Sequence, residues 1–180
     1  MRFKPTNQKE ENEFYPTPLE AIELSRPLLN KNINWWEPCA GDGRILDYFD
    51  NITYGSDIKP RRNDIIELDF LKANKPDNIQ GVITNPPFTL GYELVKKCML
   101  EWKIFALLLM RVEYMAAKKR HDMALYMSHM HIVSDLIKFT TETGRIVNGN
   151  GTGRCAWMLF DPNKTTDEII LKYVKYKKNP

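Results

Sequence analysis

Asn85-Pro86-Pro87-Phe88 directly follows the apolar run at 79–84, where a buried strand would deliver it to the edge of a sheet. An asparagine amide, a rigid Pro-Pro backbone and an aromatic ring together suit one chemical role, that of holding a planar amino group while its nitrogen attacks an electrophile. A plainer reading stands beside it. Proline removes a backbone donor and tends to end a strand, so a strand stop made from prolines is common. Upstream, Trp35-Trp36-Glu37-Pro38-Cys39-Ala40-Gly41-Asp42-Gly43 reads as a short strand entering a glycine turn, with residues 44–49 helical after it. Gly41 and Gly43 permit a tight turn and a close approach of backbone to ligand, as in nucleotide-binding βα turns.

The elements that would position these groups follow from the apolar runs. Strands are expected at 33–37, 52–56, 65–67, 81–84, 104–110, 132–139 and 155–160, with helices in most of the gaps. The methionine-rich stretch 123–130 reads as helix core. Thr17-Pro18-Leu19-Glu20 has the form of a capping box, with a helix running on through Leu29. Such alternation implies an α/β fold: a mainly parallel, seven-stranded, Rossmann-like sheet with helices on both faces, binding ligands beyond the carboxyl ends of its strands. Asp57 ends the second strand, at a distance from the glycines on the order of the ~20 residues seen for a ribose-binding acid. Asp69-Phe70 ends the third, where a carboxylate beside a ring could hold an adenine amino group and pack on its face; Asp-Phe at a strand end is also ordinary loop chemistry.

In sequence order, Tyr15-Pro16-Thr17-Pro18, Glu37-Pro38-Cys39-Ala40-Gly41-Asp42-Gly43, Asp57, Asp69-Phe70 and Asn85-Pro86-Pro87-Phe88 resemble the S-adenosylmethionine-dependent DNA adenine-N6 methyltransferases, in their gamma motif order. The similarity runs over residues 15–161 and has the feel of the compact enzymes of phages and mobile elements, some of which serve restriction-modification. The resemblance implies that S-adenosyl-L-methionine is held by Tyr15, Thr17, Glu37, Pro38, Cys39, Ala40, Gly41, Gly43, Asp57, Asp69 and Phe70. It implies that Asn85, Pro86, Pro87 and Phe88 are catalytic, acting on a base flipped from DNA by direct in-line attack. Where the family's cofactor loop often carries Asp-x-Phe, Glu37 and Cys39 stand here. Pro38-Cys39 is not the Pro-Cys nucleophile of cytosine-C5 enzymes, which lies in a substrate loop. Related tetrapeptides act on guanine N2 of RNA, cytosine N4 of DNA or protein glutamine, and a silent cofactor-binding module is a further alternative; the early Tyr-Pro-Thr-Pro favours DNA adenine.

Composition agrees. A hydrophobic fraction of 43% and a charged fraction of 27% suit a globular chain, and 180 residues suit one catalytic domain at 15–180 behind a polar arm at 1–14. There is no separate target-recognition domain in this reading, which leaves room for a homo-oligomer or a specificity partner. No run is long enough for a membrane span, so the expected location is the cytoplasm, that of the host if phage-encoded. Three scattered cysteines and three histidines lack metal-binding spacing, and the expectation is no metal. A net charge of +3 permits nucleic-acid binding without demanding it. Lys118, Lys119 and Arg120, with Arg145 and Arg154 flanking the glycine-rich segment 140–154, are the candidate DNA contacts; residues 59–62 are basic as well, and the C-terminal lysines read as a solvated face. The segment 140–154 reads first as a hairpin loop, second as a substrate loop. Residues 166–178 suit a final helix, with a last strand almost as compatible.

Overall fold

The computed structural model describes residues 15–116, 118–140 and 154–175. Eight strands form one sheet in the order β3-β2-β1-β4-β5-β7-β6-β8. They are β1 Trp35–Glu37, β2 Ile52–Asp57, β3 Ile66–Glu67, β4 Gly81–Thr84, β5 Phe105–Arg111, β6 Met127–Val133, β7 Cys155–Phe160 and β8 Ile170–Val174. The first five strands pair in parallel, β7 lies antiparallel between β5 and β6, and β8 runs parallel to β6. The α/β class and the mainly parallel sheet are as expected; the strand count is eight rather than seven.

Central strands bury both faces, and alternate side chains feed two cores. Trp36, Val82, Leu108 and Met158 point to one, which is closed by Leu94, Val95, Cys98 and Met99 of α2 (Gly91–Lys96) and of the wider π-type turn Lys97–Trp102 that continues it. Trp35, Ile83, Leu107 and Trp157 point to the other, closed by Ala21 and Ile22 of α1 (Leu19–Glu23) with Leu28 and Leu29. Each buried indole finds an acceptor: Trp35 Nε1 donates to Asn30 O at 2.9 Å, Trp36 to Ser56 Oγ at 2.9 Å and Trp157 to Ala21 O at 2.7 Å. Covering a face therefore costs no unpaired indole donor.

Helices cover both faces but are shorter than expected. The one after Thr17 ends at Glu23, and no side chain caps it; the Thr17 hydroxyl is engaged elsewhere. Ser25 Oγ donates back to Ile22 O at 2.7 Å, and Pro27 then forces a tight 3-10 turn over Arg26–Leu28. Residues 44–49 hold only a 3-10 turn at Leu46–Tyr48. The expected helix through 123–130 and strand at 132–139 are also corrected. Helix α3 (His121–Ala124) stops short of the methionine-rich stretch's end, and β6 occupies Met127–Val133 because its backbone pairs with β7, Met130 opposite Met158 and His131 opposite Trp157. The final helix is instead β8, with His131 paired to Lys172. Residues 1–14 and most of 140–154, with Arg145, lie outside the described residues. Among the described residues no helix is long and apolar enough to cross a membrane.

Candidate active site

The glycine turn is built by hydrogen bonds that converge on Asp57. Asp57 Oδ2 accepts from the Gly41 amide and Oδ1 from the Lys59 amide, both at 2.8 Å, while the Ala40 amide donates to Ser56 O at 2.9 Å. The carboxylate thus joins the end of β2 to the turn after β1. Gly41 and Gly43 have φ of 54° and 82°, a region that side chains disfavour. At Gly43 a Cβ would also fall 2.3 Å from Arg62 Nη1. Arg62 fills that space, paired to Asp47 and Asp64 and donating to Asp42 O at 3.3 Å. Within the basic run 59–62, this arginine braces the turn.

Glu37 ends β1 and is almost fully buried, accepting the Leu46 amide at 2.7 Å through Oε2. Burial pushes its carboxyl well above the usual carboxylate range, and the carboxylates of Asp42, Asp57 and Asp47 push the same way against the Leu46 bond. Burial first, then the Asp57 charge, likewise raises the Cys39 thiol to about 12. A thiol held protonated is a poor nucleophile. Asp69 behaves oppositely: Lys72, 2.9 Å away, holds it below its ordinary value, and it also accepts the Leu71 amide.

These groups line one open cleft at the carboxyl ends of β1, β2 and β4. Tyr15, Thr17, Glu37, Pro38, Cys39, Ala40, Asp57, Asp69 and Phe70 line it; Gly41 and Gly43 shape the turn without lining the cleft. Phe70 sits mainly in the core, its ring centre 5.0 Å from those of Trp36 and Trp102. Ile58, Leu68, Leu71 and Arg61 also line the cleft. Ile58 is 60% exposed.

Asn85 and Pro87 line the same cleft. The Asn85 amide nitrogen donates to Thr17 Oγ1 at 3.1 Å and to Tyr15 O at 3.4 Å. With Nδ2 so engaged, Oδ1 has no hydrogen-bond donor among the described residues. Beyond it, a smaller, shallow recess lies among Tyr15, Asn85, Pro86, Pro87, Phe88 and Phe139. Phe139 is a site residue that the sequence does not announce, since nothing in its flanks separates it from a core aromatic; its ring centre is 6.5 Å from that of Tyr15. Of the expected DNA contacts, Lys118 and Arg154 are exposed, Lys119 lies in the turn Lys118–Arg120, and Arg120 folds over the Tyr114 ring.

A parallel half-sheet joined to an antiparallel β7, with a glycine turn after β1 and a carboxylate closing β2, is a Rossmann-like α/β arrangement, and comparison with solved structures agrees on the fold. The chain is similar to a crystal structure of a candidate class I S-adenosylmethionine-dependent methyltransferase from Listeria monocytogenes, with a TM-score of 0.57 over 88% of this chain at 14% sequence identity. It spans 65% of that protein's length. No family model and no curated protein matches the chain.

Proposed function

We propose that the protein transfers a methyl group from S-adenosyl-L-methionine to the exocyclic N6 of adenine in DNA. The observation that carries this reading is the Asn85 amide, fixed through its nitrogen by Thr17 and Tyr15, with its oxygen unbonded among the described residues, where the open cleft meets a small aromatic recess.

The cleft fits the cofactor. Asp57 uses one lone pair on each oxygen for a backbone amide, and the remaining lone pairs suit ribose hydroxyls. The apolar side chains of Ile58, Leu68 and Phe70 suit an adenine face, and Asp69 suits its amino group. When bound, S-adenosyl-L-methionine supplies an electrophilic methyl group on a sulfonium.

The remaining work belongs to this chain's own residues. An aromatic amine is a weak nucleophile because its lone pair is delocalised into the ring. Asn85 Oδ1 and the Pro86 carbonyl accept its two N–H groups, which favours a pyramidal nitrogen with the lone pair exposed. Phe88 and Phe139 hold the base in the recess after it leaves the duplex stack, a cost of a few kcal/mol. The Thr17 brace keeps the amide from rotating, so the acceptors are already aligned when the base enters. No protein nucleophile is needed, in keeping with the raised Cys39 thiol.

The direct test is Asn85→Ala. Cofactor affinity stays near that of the parent while turnover on DNA falls by orders of magnitude, because the lost contact is made with the reacting amino group. Equal losses in cofactor affinity and turnover would count against this role.

A further inference from the structure

A second recess abuts the same tetrapeptide. β5 ends at Arg111, and the chain then turns twice, at Val112–Ala116 and Lys118–Arg120, before entering α3. With Pro86, Pro87, Phe88 and Gly91, this stretch lines an open recess that shares its Pro86-Pro87-Phe88 wall with the base recess. Two guanidinium groups line it. The Arg111 Cζ lies 4.4 Å from the centre of the Phe88 ring, and the Arg120 Cζ lies 3.9 Å from that of Tyr114. Arg120 is tethered in place, its Nη1 donating to Tyr114 O at 2.7 Å.

What sets this recess apart is its unmet donors. Tyr114 is only 8% exposed, yet among the described residues its hydroxyl has no hydrogen-bond partner, and neither has the buried Nε of Arg120. Native proteins seldom leave such groups unpaired, and a ligand seated in the recess would supply the missing acceptor. Gly91 places the ring: a Cβ there would meet Tyr114 Cε2 at 3.3 Å and Cζ at 3.4 Å, so the hydroxyl-bearing end lies against the first residue of α2. The one carboxylate in the lining, Glu113, is exposed. Two arginines and a phenol, all able to donate and all in the lining of one recess, suit an oxyanion.

We infer that this recess is a phosphate site, taking the phosphodiester next to the target nucleotide. The inference rests on the functional reading above, in which the adjoining recess receives the flipped base. The shared wall makes the two sites neighbours along one strand, and the phosphate on one side of Phe88 then fixes the register of the base on the other. Arg111 adds a cation to the Phe88 ring at the point where strand and base meet.

The test is DNA binding by fluorescence anisotropy across a range of salt, for the parent, Arg120→Gln and Tyr114→Phe. Each is measured on a short duplex and on the same duplex with one methylphosphonate, an uncharged phosphate, beside the target adenine; a matched RNA hairpin distinguishes the source of the phosphate. The parent is expected to lose about tenfold in affinity on the methylphosphonate duplex, the scale of one charge-assisted hydrogen bond. Both variants should be nearly blind to it, and Arg120→Gln should lower the slope of log Kd against log salt by about 1. Tyr114→Phe removes a single oxygen and preserves the packing, so it carries the test if Arg120→Gln does not fold. Equal sensitivity to the methylphosphonate in parent and variants, with unchanged slope, overturns the site while leaving DNA methylation standing. If the parent neither binds nor methylates the DNA duplex, the functional reading fails and the site falls with it.

Discussion

Thr17 Oγ1 accepts a hydrogen bond from Asn85 Nδ2 at 3.1 Å, joining residues 68 positions apart. One threonine of the Tyr-Pro-Thr-Pro stretch thereby orients the amide of the Asn-Pro-Pro-Phe stretch. It does so instead of capping α1. The two motifs form one device, and the amide oxygen is aimed because the nitrogen is anchored.

If so, Thr17→Val, which keeps the shape and loses the acceptor, lowers the single-turnover rate of methyl transfer by about tenfold, a barrier increase of about 1.4 kcal/mol. Thr17→Ser restores the acceptor and most of the rate. A valine variant as fast as the parent would remove the brace from the account.

Asp57 has two roles, joining the glycine turn to β2 and facing the cleft. Asp57→Ala is expected to weaken cofactor binding by tenfold to a hundredfold, corresponding to about 1.5–3 kcal/mol for hydrogen bonds to a charged group. Calorimetric titration with S-adenosyl-L-methionine measures this directly. Unchanged affinity would show that the ribose assignment is wrong.

Much of this arrangement is legible in the sequence, and its gaps have physical causes. Trp35-Trp36, the run at 81–84 and the run at 105–110 are apolar on both faces, and only buried central strands need that; they lie where expected. The segment 123–130 misleads because methionine and alanine suit a helix locally, while pairing with β7 is a nonlocal gain that propensity does not register. The end of the chain misleads for a related reason. Asp167 and Glu168 ahead of trailing lysines imitate a helix dipole pattern, yet β8 is held by the edge of β6. Thr17 cannot be separated from a capping residue by sequence, because its true partner lies 68 positions away. Arg111 and Phe139 reach the site from elements whose local sequence carries no motif.

Glu37 gives a pH-dependent signature. Burial favours its uncharged form, so its folded pKa lies above the ordinary value of 4.5. The stability it contributes is complete below that value and is lost as pH rises toward the folded pKa. Glu37→Gln keeps an acceptor for the Leu46 amide and has no charge to bury. Its Tm is therefore expected to exceed the parent's by about 2–4 °C at mildly alkaline pH, the effect of about 1 kcal/mol in a chain of this size. The difference should vanish near pH ~4, where both side chains are neutral. A variant no more stable than the parent in alkali would contradict the assigned burial cost.

Cys39 lies in the cofactor turn, with its thiol raised to about 12. Cys39→Ser is expected to retain methyl transfer within about threefold, less than 1 kcal/mol of barrier. No covalent protein–DNA adduct should survive denaturing electrophoresis. An adduct that disappears in the serine variant would reinstate a nucleophilic cysteine.

The central claim is methyl transfer to the amino group of adenine in DNA, and nucleoside mass spectrometry tests it most directly. The purified protein is incubated with isotopically labelled S-adenosyl-L-methionine and, in parallel, with DNA, ribosomal RNA and a protein extract, and the products are digested and analysed. The label is expected in N6-methyladenine from DNA, and Asn85→Ala should abolish it. Label in N4-methylcytosine, in N2-methylguanine from RNA or in methylated glutamine, with none in DNA adenine, would contradict the account.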